Sequence, residues 1–341
     1  MSLEFAALNT KVSNEHSRQY AKNGAENYQR IKEEFQRADY SIETLPRFDP
    51  ADHLPCLIIG SGPSLDDSLP FIKDFPGIIF ASPSQLCILE KWEITPHFVV
   101  AVDSADSVGE EQIPGHDTYG MTLLTNPYIS PKVLDAWKGA KRYFQLVDSG
   151  NERFLDVFPW IKQGFPVAGS VNNTQVTIAH WMGFSPIILA GVDYCFPGGR
   201  TRAQDYRKRG PYIFDPKPLD MCETKDGLTS ASPETLFYAN VLLGLWKMYG
   251  LPLVQIGDKG ACTEIPFVQP EEILQPIDVG GPTPEQIEEI DKTMISYGMF
   301  AQVDEAGLGH FSWKERDLEQ AVLAREAEAI AKARADEWMR R

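Results

Sequence analysis

Three stretches of the chain set residues capable of chemistry directly behind apolar runs. The first is Leu57-Ile58-Ile59-Gly60-Ser61-Gly62-Pro63-Ser64-Leu65-Asp66. A run of strand length enters Gly-Ser-Gly, and Pro63 suits the first turn of a helix behind it. Glycines let a ligand approach the backbone, and free N–H groups at a helix start attract phosphate or another anion. Gly60, Ser61, Gly62, Pro63, Ser64 and Asp66 are therefore candidate nucleotide contacts. On this reading Gly62→Val would block the ligand and leave the fold largely intact. Leu65 stands where the dinucleotide fingerprint has its third glycine, and no acidic residue closes the next apolar run, Ile78–Ser82. An ordinary NAD site is thereby disfavoured. The same residues also read as a tight strand–helix turn without a ligand.

The second stretch is Val99-Val100-Ala101-Val102-Asp103, and the third ends Ile187-Ile188-Leu189-Ala190-Gly191-Val192-Asp193. An acid that follows a buried parallel strand lies at the carboxyl edge of its sheet, where ligands collect. Asp103 and Asp193 are thus candidate catalytic acids, with an Asx turn or a helix cap as the alternative. Ahead of the third stretch, Ser170, Asn172 and Asn173 stand at a helix start, as caps or as nucleotide contacts. Just beyond it, Gly199 to Arg209 carries five cations and one acid, Asp205, in a chain of net charge −16. Arg200 and Arg202 are candidates for a phosphate clamp; a solvated loop is the alternative. The six histidines show no metal-ligand spacing, no metal ligand set is expected, and His180 reads as a packed residue of an apolar helix.

These residues need a scaffold that brings them to one edge. Apolar runs recur at Cys56–Ile59, Ile78–Ala81, Phe98–Val102, Thr122–Leu124, Tyr143–Val147, Ile187–Ala190 and Leu253–Ile256. Helical stretches fall between several of them, notably Ser84–Trp92, Asn172–Met182 and Pro233–Tyr249. Continuous apolar strands separated by helices predict an α/β fold, a Rossmann-like, doubly wound and mostly parallel sheet. The 341 residues divide into an N-terminal helical extension (1–48), a Rossmann-like nucleotide-binding domain (49–270) with an excursion at 195–232, and a C-terminal linker and helical tail (271–341). Tyr28, Ile31 and Phe35 make a narrow apolar stripe on the otherwise solvated first helix. The terminal helices are a possible surface for homo-oligomers.

Composition narrows the class further. A net charge of −16 argues against nucleic-acid binding. No apolar run reaches the ~20 residues of a membrane span. The start lacks the pattern of a secretory signal. Five scattered cysteines without a C-x-x-C pair suit reduced thiols, and the expected location is cytoplasmic.

Gly60-Ser61-Gly62-Pro63-Ser64-Leu65, taken with Ala179…Gly183-Phe184…Ile188-Leu189…Gly191-Val192-Asp193, resembles the MptE-like 6-hydroxymethylpterin diphosphokinase family. That family includes the central domain of the motility accessory factor (Maf) flagellin glycosyltransferases. The two blocks are also similar to those of bacterial CMP-sialic acid sialyltransferases. The resemblance implies that Gly60, Ser61, Gly62 and Ser64 contact a donor nucleotide, that Ser170 lies beside its phosphate or sugar, and that Asp193 shapes the far wall. Ser61 stands where the sialyltransferases have Asn, and no histidine falls between His180 and His310, where their base lies. Asp205, Asp226 and Glu234 take its place by position. The resemblance implies transfer of a glycosyl group from a nucleotide-activated, sialic-acid-like sugar to an acceptor that the sequence leaves open. The alternatives are Mg²⁺-dependent diphosphate transfer from ATP, with Asp103, Asp106 and Asp193 near the metal, and a nucleotide-binding partner protein without catalysis.

Overall fold

The computed structural model describes residues 3–147, 157–166, 169–204 and 220–277, then 279, 282–283, 286 and two short strands, Met299–Val303 and Gly309–Trp313. Of residues 3–17, 147, 166 and those two strands only the backbone is described. Asp205, the cations Arg207, Lys208 and Arg209, and the charged C-terminal stretch lie outside the described residues.

In chain order the strands are β1 (Cys56–Ile59), β2 (Ile78–Ala81), β3 (Phe98–Ala101), β4 (Thr122–Thr125), β5 (Ala140–Tyr143), β6 (Gln145–Val147), β7 (Gly164–Pro166), β8 (Ile187–Ala190), β9 (Asp220–Thr224), β10 (Gly227–Ala231), β11 (Leu253–Ile256) and β12 (Phe267–Val268). Eight of them form one sheet in the order β12-β11-β8-β1-β2-β3-β4-β5. Every neighbouring pair in that sheet is parallel. The expected α/β, Rossmann-like architecture is what forms. All four residues of β1, of β8 and of β11 are buried, as a sheet covered on both faces requires.

The helices are α1 (Leu3–Arg37), α2 (Leu65–Ile72), α3 (Leu86–Lys91), α4 (Pro131–Ala136), α5 (Val171–Met182) and α6 (Pro233–Tyr249). Alternation along β1 divides the core. Cys56 and Ile58 pack with Val176, Met182 and Trp246 of α5 and α6, whereas Leu57 and Ile59 pack with Leu69 and Ile72 of α2. Strands on both sides of β1 run parallel to it, and the direction of winding reverses between β1 and β8. That reversal is the topological switch point, where open α/β sheets leave a crevice at the carboxyl ends of their strands.

Helix α1 is more than a solvated extension. Ile31 of its stripe is fully buried, and so are two asparagines that the stripe does not include. Asn23 donates to Ser104 O and Tyr128 O, and Asn27 to Pro127 O and Ile129 O, at 2.8–3.1 Å. These bonds tie the helix to the loops that follow β3 and β4.

Four local expectations change. The strand expected at Tyr143–Val147 is two elements: β5 closes the sheet edge, and β6 pairs with β7 in a separate ribbon. Lys141 and Arg142 on half-buried edge positions erase the apolar signature of β5. Helix α4 stands outside the helical stretches read from the pattern, because six residues are too few to show a helical period. The excursion contains an antiparallel hairpin, β9–β10. His180 is exposed near the ring of Tyr249, because Ile178, Ala179 and Met182 take the buried face of α5. No helix among the described residues is long and apolar enough to cross a membrane.

Candidate functional site

The glycine turn and the Gly191-Val192-Asp193 stretch meet at the switch point. Gly60 N–H donates to Ala190 O and Gly62 N–H to Gly191 O, both at 2.7 Å. The approach leaves no room for side chains. A Cβ on Gly60 would lie 2.1 Å from Gly191 O, and one on Gly62 would lie 2.4 Å from Asp193 Oδ2. The glycines therefore admit the second block of the protein itself. The expectation that Gly62→Val would block a ligand and spare the fold is corrected: the added atoms meet Asp193 first.

Asp193 is 4% exposed. Its Oδ2 accepts Ser64 N–H at 2.9 Å, and its Oδ1 accepts the Ser64 hydroxyl in a short hydrogen bond. The anion expected at the start of α2 is thus a carboxylate of the chain. Burial pushes the Asp193 carboxyl above its usual range, against the opposing pull of the two Ser64 bonds. A carboxyl raised in the folded state binds its proton more tightly there than in the unfolded chain. Its contribution to stability then falls as pH rises from about 4, the unfolded value, through the folded one. In urea unfolding, the stability of wild type relative to Asp193→Asn is expected to decline across that window. A difference that is flat or rises with pH would contradict the buried, raised carboxyl.

The other predicted residues separate into two groups. Asn172 donates to Ile59 O and to Gln175 Oε1, and Asn173 accepts from the Tyr194 hydroxyl and donates to Tyr238 O. Asp66 takes Arg200 at 2.6 Å and the backbone N–H of Gln204, while Ala203 N–H donates to Ser61 O. The start of the basic loop is therefore latched onto the glycine turn. Gly60, Pro63, Ser64, Asp66, Asn173 and Arg200 all stand behind the wall of the cleft.

That cleft, about 480 Å³, opens above the turn, a size suited to a small-molecule ligand. Of the predicted residues, Ser61, Gly62, Asp103, Ser170, Asn172, Asp193 and Arg202 line it. Asp103 is exposed and forms an Asx turn with Ala105 N–H at 2.9 Å. Ser170 caps α5 by accepting Asn172 N–H. Sequence reasoning missed Tyr20 of α1 and Gln85, which donates to Ser61 Oγ at 2.6 Å. The Ser82-Pro83-Ser84-Gln85 capping box was the available signal for Gln85.

The three carboxylates considered for Mg²⁺ do not converge. Asp106 is paired with Lys132 at 2.9 Å and accepts the Ser130 hydroxyl, and Asp193 is engaged by Ser64. Among the described residues no group of three His, Cys, Asp or Glu is arranged to hold a metal ion. The set does not fit a protein-held Mg²⁺.

A doubly wound parallel sheet with a glycine turn and a polar cleft at its switch point defines a Rossmann-like α/β protein. The profile of the family described as 6-hydroxymethylpterin diphosphokinase MptE-like matches residues 20–199, over half of the chain, and the chain belongs to that family. The matched region begins at Tyr20 on the cleft and ends at Gly199, just before Arg200. Among solved structures, the fold is similar to that of the MAf glycosyltransferase from Magnetospirillum magneticum AMB-1, with 20% identity and a TM-score of 0.51. That likeness covers 74% of this chain and 38% of the MAf chain. The sialyltransferase CstII from Campylobacter jejuni is similar at 14% identity and a TM-score of 0.32, over 70% of this chain and 98% of its own. No curated protein matches the sequence.

Proposed function

We propose that the protein is a transferase that holds a nucleotide-activated donor in the switch-point cleft and passes on its glycosyl group. One observation carries this reading: the two sequence blocks that resemble those of nucleotide-using transferases converge through Ser64 and Asp193 beneath a cleft of ligand size. Ser61, Ser170 and the backbone at Gly62 face the donor. Asp193 acts as a positioning residue that fixes the turn, and Asp103 accepts hydrogen bonds from donor hydroxyls. Glycosyl transfer needs the donor phosphate stabilised as it leaves. Arg202, exposed on the cleft wall, supplies that charge. The acceptor is a hydroxyl compound.

The second reading, diphosphate transfer from ATP, is favoured by the family description. Thermal shifts with CMP, CDP, UDP, GDP and ATP, each with and without Mg²⁺, separate the two. Metal-independent stabilisation by a cytidine or uridine nucleotide supports glycosyl transfer. Magnesium-dependent stabilisation by ATP supports the diphosphokinase, and no shift with any nucleotide leaves a partner protein without catalysis.

Arg200 and Arg202 should now behave differently. Arg202→Ala is expected to weaken a nucleotide about tenfold, the equivalent of ~1.4 kcal/mol, and to leave the bare nucleoside unaffected. Arg200→Ala should loosen the latch on Asp66 and speed proteolysis after residue 199. Equal weakening of nucleoside and nucleotide by Arg202→Ala would remove the phosphate contact.

A further inference from the structure

Glu234 and Tyr238, on the first two turns of α6, both line the cleft. They lie beyond the region matched to the family. Glu234 is exposed, and the Tyr238 hydroxyl donates to its Oε1 at 2.5 Å. The start of this 17-residue helix, capped by Ser232, favours a carboxylate.

Tyr238 is held from three sides. Its backbone carbonyl accepts from Asn173 at 3.1 Å, its ring lies 6.3 Å from that of Tyr194, and Gly169 admits it. Gly169 has φ +73°, and a Cβ there would come within 2.6 Å of the Tyr238 ring. The Gly169–Asn173 stretch thus seats a tyrosine whose hydroxyl is aimed at Glu234. Burial, reinforced by the Glu234 carboxylate, pushes the Tyr238 phenol well above its usual range, so it stays a donor.

The other carboxylates on the cleft wall have backbone partners. Asp193 accepts from Ser64 and Asp103 from Ala105, and among the described residues none that lines the cleft is a histidine. Resting on the transferase reading above, we infer that Glu234 is the base for the acceptor hydroxyl and Tyr238 its positioning residue. Glu234 takes the hydroxyl proton as the hydroxyl oxygen bonds to the anomeric carbon of the donor. The bond from that carbon to the phosphate oxygen breaks, and its electron pair leaves with the nucleotide. With water in place of the acceptor, the same step yields free sugar and nucleotide.

The test incubates the full chain with CMP-sialic acid, UDP-N-acetylglucosamine and GDP-mannose in turn and follows nucleotide release with water as acceptor. With the donor released fastest, Glu234→Gln is expected to lower kcat about 100-fold or more. The donor KM and the thermal shift given by the released nucleotide should stay within about twofold of wild type, since the acceptor side alone is changed. Tyr238→Phe should lower kcat about tenfold at unchanged KM, and Glu234→Asp should recover part of what Glu234→Gln loses. Turnover by Glu234→Gln close to the wild-type rate overturns the assignment and leaves the donor site standing. Release of nucleotide from none of the three donors by wild type fells the transferase reading and this inference together.

Discussion

Gly60→Ala is expected to fail to fold or to lose more than about 4 kcal/mol, the range reserved for severe core errors. The added methyl would lie 2.1 Å from Gly191 O and 2.6 Å from Gly191 C. Both are backbone atoms of the stretch that carries the hydrogen bond from Gly60 N–H to Ala190 O, so neither has a rotamer by which to retreat. The change would push β1 and β8 apart at the centre of the sheet. Gly62→Ala should cost less, because its nearest contact is the end of the Asp193 side chain. Gly120→Ala is the control: nothing lies within 4 Å of its Cβ, and its stability should match wild type within about 0.5 kcal/mol. Urea unfolding of the three variants gives the ranking. Near-wild-type stability of Gly60→Ala would mean that the two blocks do not meet as described.

The double variant Asn23→Ala, Asn27→Ala should be the next most damaging. Each side-chain amide donates to two backbone carbonyls while about 1% exposed. Truncation leaves those acceptors buried without donors, at ~1–3 kcal/mol for each residue. The loss is expected to be local as well as global. Helix α1 would detach from the loops after β3 and β4, and Tyr20, whose hydroxyl donates to Val102 O, would leave the cleft wall. Limited proteolysis within residues 18–37 should quicken, and nucleotide-induced thermal shifts should shrink. Gln29→Ala, at an exposed position of the same helix, should change neither. A double variant that resists protease as wild type does would show that the apolar stripe alone holds the helix.

What could be read from the residues follows from where the information lies. Runs such as Cys56–Ile59 and Ile187–Ala190 announce buried parallel strands because every position is apolar, and the sheet follows from them. Edge strand β5 does not, since Lys141 and Arg142 tolerate its half-buried positions. The pairing of the Gly60 turn with Asp193 was legible as two blocks of one edge, yet its sense was not. Spacing cannot distinguish a glycine that admits a ligand from one that admits a neighbouring loop. Asn23 and Asn27 were invisible for a related reason: polar residues at helical spacing look solvated unless the carbonyls they satisfy are known. Glu234 stood out by position only, because its partner Tyr238 is seated by Gly169 and Asn173, far away in the chain.

The place of β1 in the sheet has a consequence for how the protein is assembled. Cys56 pairs with Ile78 on one side and with Ile187 on the other, so the two walls of the crevice come from early and late stretches of the chain. A nascent chain that has emerged only as far as β5 holds five of the parallel strands but offers Ser64 no carboxylate and Gly62 no carbonyl. The walls of the crevice are therefore complete only when β8 docks. Any ligand in the crevice then acts as a staple between the two halves, adding RT ln(1 + [L]/Kd) against their separation. A truncated or mispaired chain gains nothing from the same ligand, which makes ligand-induced stabilisation a reporter of completed folding.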